Sequence, residues 1–200
     1  KAQHTEWTVP EGAAHGARDG ELVEAEQSGP KGRMGLPRAR ITDRLGDPSA
    51  PRAVSLIAIH QHGIPDSFPG DAIAEADAAS PLGPGGREDM RDLPLVTIDD
   101  ESAKDFDDAV YVESRQRGGW RLIVAIADVS HYVHPGTALD NEAHKRGNSV
   151  YFPNRVVPML PEALSNGLCS LNPHVDRLCL YCDMLVSANG RISRFVFREG

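Results

Sequence analysis

The sequence predicts a mixed α+β protein, in which the C-terminal part of a small β-barrel precedes the first part of a larger α+β domain. Gly (19) and Pro (15) are frequent among the 200 residues, which favours short strands and many turns over long helices. The composition also changes near residue 90, where a part rich in Gly, Pro and Ala gives way to more regular strands and turns. We therefore expect a partial barrel at 1–80, a linker at 81–91 and an incomplete second domain at 92–200.

The first part contains three strand candidates, at 21–26, 37–42 and 54–60, which are separated by Gly- and Pro-containing turns. Strands of this length at this spacing are typical of a small all-β barrel. The Ala-rich segment 70–79 is predicted to be a helix, and the Gly- and Pro-rich residues after it are typical of a linker.

The second part predicts a hairpin, a short helix and a further hairpin. Thr137 with Asp140 three residues later is typical of a helix start, and Gly147 of a helix end, so a helix is predicted at 138–146. The dipeptide Asn189-Gly190 is the strongest turn signal in the chain and predicts a hairpin between the last two strands. The strand candidates are residues 93–98, 109–113, 120–129, 149–152, 178–186 and 192–197.

The chain carries a formal net charge of −8, which taken alone argues against nucleic-acid binding, because phosphate contacts usually come from an excess of Lys and Arg. One stretch differs, since between residues 31 and 44 a single acid, Asp43, accompanies five cations. These are Lys31, Arg33, Arg38, Arg40 and Arg44. Such a stripe either follows a phosphate backbone or protects a solvated edge strand by charge, and the sequence leaves both interpretations open.

The three cysteines are too few for a disulfide framework, so a reducing cytoplasm is the expected location. Cys179 and Cys182 form a C-x-x-C pair that, with Cys169 and His174, offers a possible zinc set. The favoured interpretation is that they are buried apolar residues, because residues three apart on a strand point to opposite faces. No apolar run reaches the roughly 18–20 residues of a membrane span, so no membrane partner is expected.

Six of the ten residues from 99 to 108 are acids, and Lys104 is the one cation among them. Because the cluster connects two predicted strands, several carboxylates can converge, and their repulsion is relieved either by a raised pKa or by a bound cation. The candidate ligands are all hard oxygens, which favours Mg²⁺, or Mn²⁺, over Zn²⁺. The alternative is an acidic, solvated loop. Asp128 ends a later strand and either reaches this cluster or serves a turn.

Several sequence runs resemble a known nuclease family. The run 92–99, followed by Asp105-Phe106-Asp107-Asp108-Ala109-Val110, closely resembles the signature of the RNB catalytic domain in the ribonuclease II and ribonuclease R family. The later runs 126–130, 146–153, 158–161 and 164–173 stand in the family's order and spacing. Upstream, 59–65 and 68–69 resemble the end of a cold-shock domain, as in the ribonuclease R branch.

The resemblance implies a processive 3′-to-5′ exoribonuclease that hydrolyses single-stranded RNA to nucleoside 5′-monophosphates with Mg²⁺. By position, Asp99 and Asp108 hold Mg²⁺, Asp107 serves the attacking water or a second metal, and Asp105 supports the cluster. All four therefore count as catalytic and metal-binding candidates. Tyr151 matches the family's aromatic that stacks on a nucleotide near the RNA 3′ end. Asp100 stands where the family often has Gly, and is not a motif position.

Two other functions compete with this one: a non-catalytic RNA-binding module with a retained RNB fold, and a metal-stabilised structural domain. The intact motif aspartates favour the enzyme, because a binding module has no reason to keep their repulsion. The chain starts without Met and stops directly after a strand candidate, so we expect a fragment that carries the metal-binding half of the site and is weakly active or inactive alone. No protein partner can be inferred.

Overall fold

A computed structural model describes residues 6–29, 35–81, 85–116 and 118–200. Its contacts divide the chain into two units, Lys1–Asp66 with Tyr151–Val156, and Ser67–Val150 with Val157–Gly200. The strands are β1 Leu22–Gln27, β2 Ala39–Gly46, β3 Asp108–Ser114, β4 Trp120–Ala127, β5 Val150–Phe152, β6 Arg155–Val157, β7 Cys179–Val186 and β8 Ile192–Glu199. The helices are α1 Pro51–His62, α2 Gly70–Ala78 and α3 Ala138–Arg146, with a 3₁₀ turn at Val129–His131 and a π-helix at Ala163–Leu168.

The first unit contains an antiparallel hairpin and a helix. β1 and β2 pair along their whole length, so the strands predicted at 21–26 and 37–42 are confirmed. The prediction of a third strand at 54–60 is wrong, because this segment forms α1. A Pro at the first helical position suits a helix start, and the buried residues Ala53, Leu56 and Ile59 recur every three positions on one helix face.

The second unit contains a four-stranded antiparallel sheet in the order β3-β4-β7-β8. Both predicted hairpins, β3 with β4 and β7 with β8, are confirmed by their register. One face of the sheet is covered, with Ile123, Ala125 and Tyr181 buried against Leu93 and Leu95. The opposite face keeps large apolar side chains exposed. Among these are Val112, Ile126, Leu180, Phe195 and Phe197.

The strand predicted at 93–98 forms only an isolated antiparallel bridge, between Val96 and Val110 on the outer edge of β3. Pro94 has no backbone N–H to donate, so a longer ladder is disfavoured at this edge. The segment instead places Leu93 and Leu95 over the sheet. It fills the core as an irregular strap.

A second core of this unit lies between helices. Ala72 and Ala76 of α2 are buried with Leu139 of α3 and Leu164 of the π-helix. The predicted helix at 138–146 is confirmed, with Thr137 accepting from the backbone N–H of Asp140 at 3.3 Å. Residues 67–80, which the sequence analysis assigned to the first domain, belong to the second unit through α2.

Part of the predicted linker packs into the second unit. The Arg87 guanidinium donates to Asp128 at 2.6 Å and to the backbone carbonyl of Cys179 at 3.3 Å. Glu88 accepts from the Tyr181 hydroxyl at 2.5 Å and from Arg198 at 2.7 Å. Residues 85–91 are therefore anchored by side-chain contacts, which their Gly- and Pro-rich surroundings did not indicate.

Candidate active site

The motif aspartates lie around one edge of the four-stranded sheet. Asp99 follows the strap over the sheet, Asp105 and Asp107 lie in an irregular segment, and Asp108 is the first residue of β3. The pKa of Asp107 is raised, first by partial burial and then by repulsion from the other three carboxylates. The structure thus brings the other three predicted site residues within electrostatic range of Asp107.

The backbone of the irregular segment is fixed from two sides. The carbonyl of Asp107 accepts from the N–H of Ala127 at 2.9 Å, which ties the segment to the end of β4. The carbonyl of Phe106 accepts from the N–H of Leu171 at 2.9 Å, which ties it to the residues after the π-helix. Because the main chain is anchored, the neighbouring carboxylates are held together despite their repulsion.

Asp100 behaves differently from the four motif aspartates. Its carboxylate accepts from the hydroxyl of Ser102 at 2.6 Å and from the N–H of Ser102 at 2.9 Å. These bonds lower the pKa of Asp100. The carboxylate is therefore used in its own turn, outside the cluster around Asp107.

The aspartates suit a hard cation by chemistry, although they are not drawn together into a closed ligand cage. Within the described ranges, no group of three or more His, Cys, Asp or Glu side chains is arranged to hold a metal ion. The donors are nevertheless carboxylate oxygens, which Mg²⁺ and Mn²⁺ prefer. The pKa of Asp107 is raised first by burial and then by repulsion from the other three carboxylates, and a bound cation would offset that repulsion.

Tyr151 lies on β5 and belongs to the first unit, whereas the four aspartates belong to the second. Its side chain is 62% exposed. An exposed aromatic ring on a short strand is the kind of surface on which a nucleobase stacks.

Asp128 does not join the acidic cluster. It is buried and accepts from Arg87 and from the hydroxyl of Ser130, each at 2.6 Å. Burial alone raises the pKa of Asp128, but the bonds from Ser130 and Arg87 outweigh this effect, so that the pKa lies below its ordinary value. The sequence left open whether Asp128 reaches the acidic cluster or serves a turn, and these contacts support the turn.

Two of the five cations of the basic stripe are engaged in ion pairs across the β1–β2 hairpin. Arg40 pairs with Glu26, and Arg44 pairs with Glu21 at 2.5 Å. Arg38 is exposed, and Lys31 and Arg33 lie outside the described residues. These pairs reduce the positive charge that the stripe offers to a phosphate backbone, and contact with RNA stays a prediction.

The three cysteines are free thiols, of which Cys169 and Cys179 are buried. Burial, followed by repulsion from Asp107 and Asp128, raises the pKa of Cys169 to about 12. The Cys169 thiol is therefore protonated and unreactive at neutral pH.

Sequence reasoning missed one residue that contacts the aspartate segment, Ser170. Its side chain is completely buried, and its hydroxyl bonds to the main chain at Lys104 and Phe106. Ser170 lies within the family-like run 164–173, which was the available signal, but the run alone does not show what the hydroxyl contacts.

Comparison with known proteins identifies the family. A family model described as the RNB domain matches residues 87–200, more than half of the chain. The chain belongs to the RNB family. A model described as a cold shock domain matches residues 1–69, so this RNB-family member joins a cold-shock domain to an RNB domain, as the sequence predicted.

Curated relatives place this RNB-family member near ribonuclease R. It is 50% identical over 200 residues to ribonuclease R of Vibrio cholerae, covering 98% of this chain and 24% of the relative. It is 50% identical over 195 residues to ribonuclease R of Escherichia coli K12, covering 96% of this chain and 24% of the relative. The chain thus spans about a quarter of the length of these relatives.

A solved structure agrees with this placement. Mycoplasma genitalium RNase R in complex with double-stranded RNA matches 98% of this chain and 36% of its own, with a TM-score of 0.85 and 29% identity. No helix in the described parts of the present RNB-family member is long and apolar enough to cross a membrane.

Proposed function

We propose that this RNB-family member is a Mg²⁺-dependent 3′-to-5′ exoribonuclease that hydrolyses single-stranded RNA to nucleoside 5′-monophosphates. The observation that carries the proposal is a set of four motif carboxylates, three of which act electrostatically on Asp107, within a chain 50% identical to ribonuclease R of Vibrio cholerae. The four motif aspartates within residues 99–108 would supply the metal-binding part of the site. The free thiols agree with a reducing compartment, and we infer a cytoplasmic location.

In this mechanism Asp99, Asp105, Asp107 and Asp108 would hold Mg²⁺, or Mn²⁺ in its place. A bound Mg²⁺ would lower the pKa of a water molecule and stabilise negative charge on the scissile phosphate. The aspartates of this chain orient the water and accept its proton. In the metal-free protein, partial burial and then repulsion from the other three carboxylates raise the pKa of Asp107, so this carboxylate is the one suited to take up the proton.

Tyr151 would bind the RNA by stacking on a nucleobase near the 3′ end. Stacking on an aromatic side chain is worth roughly 1–3 kcal/mol per base and tolerates any sequence. This contact would hold the RNA without reading the identity of the base. Such a contact would suit degradation that does not depend on the base sequence.

The proposal is tested with the full-length polypeptide that carries these residues and a 3′-tailed single-stranded RNA. We expect Mg²⁺-dependent release of nucleoside 5′-monophosphates, and none with a chelator present. Asp107→Asn should lower kcat by more than about 100-fold, because even the partners of metal ligands cost about 10- to 100-fold when mutated.

The matched control is Asp100→Asn, which removes a neighbouring acid whose carboxylate is bonded within its own turn. This variant should keep the wild-type rate. Retained activity of Asp107→Asn would overturn the mechanism. RNA binding that needs no metal and gives no products would instead support the non-catalytic module.

A further inference from the structure

The segment that carries Asp105 and Asp107 has no strand or helix of its own. Backbone N–H and C=O groups outside regular structure need partners from elsewhere, and those partners decide where the attached side chains lie. For residues 104–106 they come from Ser170 and Leu171. These contacts lie within the second unit.

The Ser170 hydroxyl makes two hydrogen bonds that flank Asp105. It donates to the backbone carbonyl of Lys104 at 2.8 Å and accepts from the N–H of Phe106 at 3.0 Å. One hydroxyl therefore spans the residue before and the residue after the aspartate. Since Ser170 is 0% exposed, water cannot replace it in either bond without opening the core.

The main chain of the serine is itself held in place. Arg177 donates through Nε to the carbonyl of Ser170 at 3.1 Å and to that of Gly167 at 3.0 Å. Leu171, the next residue, donates its N–H to the carbonyl of Phe106 at 2.9 Å. The π-helix end and the aspartate segment are thus joined by one continuous hydrogen-bond network.

We propose that Ser170 is a positioning residue, which holds Asp105 and Asp107 in the arrangement that binds the divalent cation. This rests on the proposed function, because the cation is part of that proposal. Ser170 does not touch the substrate or the metal. It acts by fixing the backbone on both sides of Asp105, as the outer hydrogen-bond partners of metal ligands do.

The test uses the full-length polypeptide and Ser170→Ala, which removes both hydroxyl bonds. Free Mn²⁺ is measured by electron paramagnetic resonance during titration, which gives a Kd that does not depend on activity. We expect the Kd for Mn²⁺ to rise by about 10- to 100-fold. Excess Mg²⁺ should restore kcat in the same variant.

The matched control is Ser55→Ala in the first unit. Ser55 is also buried, at 4% exposed, and donates to the Asn154 amide oxygen at 2.7 Å. This control should leave the Mn²⁺ Kd unchanged. A purely structural role of Ser170 would lower Tm in both variants and change the Kd in neither.

A folded Ser170→Ala protein with the wild-type Kd would overturn the positioning role. If Ser170→Ala does not fold, Arg177→Met replaces it, since this change removes the donor to the Ser170 carbonyl from a half-buried site. Arg177→Met should also raise the Kd for Mn²⁺, by less than Ser170→Ala would. An unchanged Kd in Arg177→Met would overturn the positioning role as well.

The outcomes separate the two proposals. Wild-type protein that binds Mn²⁺ but does not degrade RNA would defeat the proposed function and leave the positioning role to be judged by Kd. RNA degradation by the wild type with an unchanged Kd in Ser170→Ala would defeat the positioning role alone. Absence of Mn²⁺ binding by the wild type would defeat both.

Discussion

The ionised carboxylate of Asp107 lowers the stability of the metal-free fold. Its pKa is raised in the folded protein, so the metal-free fold favours the protonated form. The resulting contribution to stability is present below the ordinary pKa of an aspartate and is lost as pH rises through the raised pKa. At neutral pH the ionised Asp107 is therefore unfavourable in the metal-free fold, first because it is partly buried and then because the other carboxylates repel it.

This effect predicts that Asp107→Asn stabilises the metal-free protein while it lowers kcat by more than about 100-fold. At pH 7 with a chelator, the free energy of unfolding should rise by no more than about 1 kcal/mol, because solvent screens partly exposed charges. The difference should vanish at pH values where Asp107 is protonated. Urea unfolding across pH measures it.

Asp100→Asn is the control for the direction of the stability change. The pKa of Asp100 is lowered by its hydrogen bonds to Ser102, whereas that of Asp107 is raised. That carboxylate contributes stability above its ordinary pKa and loses it as pH falls through the lowered pKa. Its replacement should destabilise the protein at pH 7. A loss of stability in Asp107→Asn would show that burial and repulsion do not disfavour the ionised carboxylate in the fold.

At the scale of elements, α3 begins on a carboxylate from another helix. Glu75 of α2 accepts from the N–H groups of Ala138 at 3.0 Å and Leu139 at 2.9 Å. The hydrogen bond from Leu139, and after it the bond from Ala138, lowers the pKa of Glu75. A negative charge at a helix N-terminus is favourable because the first N–H groups have no partner within the helix.

Glu75→Gln should therefore lower Tm by about 2–4 °C at pH 7, as expected for a capping contact in a chain of this size. Because the pKa of Glu75 is lowered, the difference should shrink as pH falls through that pKa and the wild-type carboxyl is protonated. Thermal unfolding followed by circular dichroism measures both effects. Asp77→Asn, an exposed acid on the same helix, should leave Tm unchanged.

Local signals in the sequence predicted the elements whose ends they determine. Thr137 and Gly147 gave the bounds of α3, and Asn189-Gly190 gave the last hairpin. The segment 54–60 was assigned wrongly because its β-branched residues favour a strand, whereas Val54 and Ile57 are exposed on a helix whose other face is buried. Packing overrode propensity there.

The candidate site shows the same division. The spacing of the aspartates was enough to predict that three of them act on Asp107, since they are close in sequence, and their role as a metal site stays a prediction. The contact of Ser170 with Lys104 and Phe106 joins residues more than sixty positions apart, and no local pattern encodes it. Sequence therefore indicated the acids of the site but not the hydrogen bonds that hold them.

At the scale of the whole molecule, the predicted linker contributes a nearly buried ion pair. The side chains of Arg87 and Asp128 are 10% and 3% exposed. Removing one partner of such a pair leaves an uncompensated charge in the interior, which typically costs about 3–5 kcal/mol. Residues 85–91 thus contribute to the stability of the second unit.

Arg87→Met should lower the free energy of unfolding by about 3–5 kcal/mol, measured by urea denaturation at pH 7. The double variant with Asp128→Asn should recover most of this loss, since no buried charge remains. Arg91→Met removes a nearby exposed arginine and should have little effect. A small loss in Arg87→Met would mean that residues 85–91 are as loosely held as a linker.

The uncovered face of the sheet has a consequence for the protein in solution. Phe195 and Phe197 are 60% and 73% exposed on β8, which is the outer strand of the described sheet. An apolar outer strand invites pairing between molecules, and so promotes aggregation. Arg194 and Arg198 flank the two phenylalanines, and charges beside such a segment act as gatekeepers. Because Arg198 is paired with Glu88 at 2.7 Å, the colloidal solubility of this chain depends mainly on Arg194.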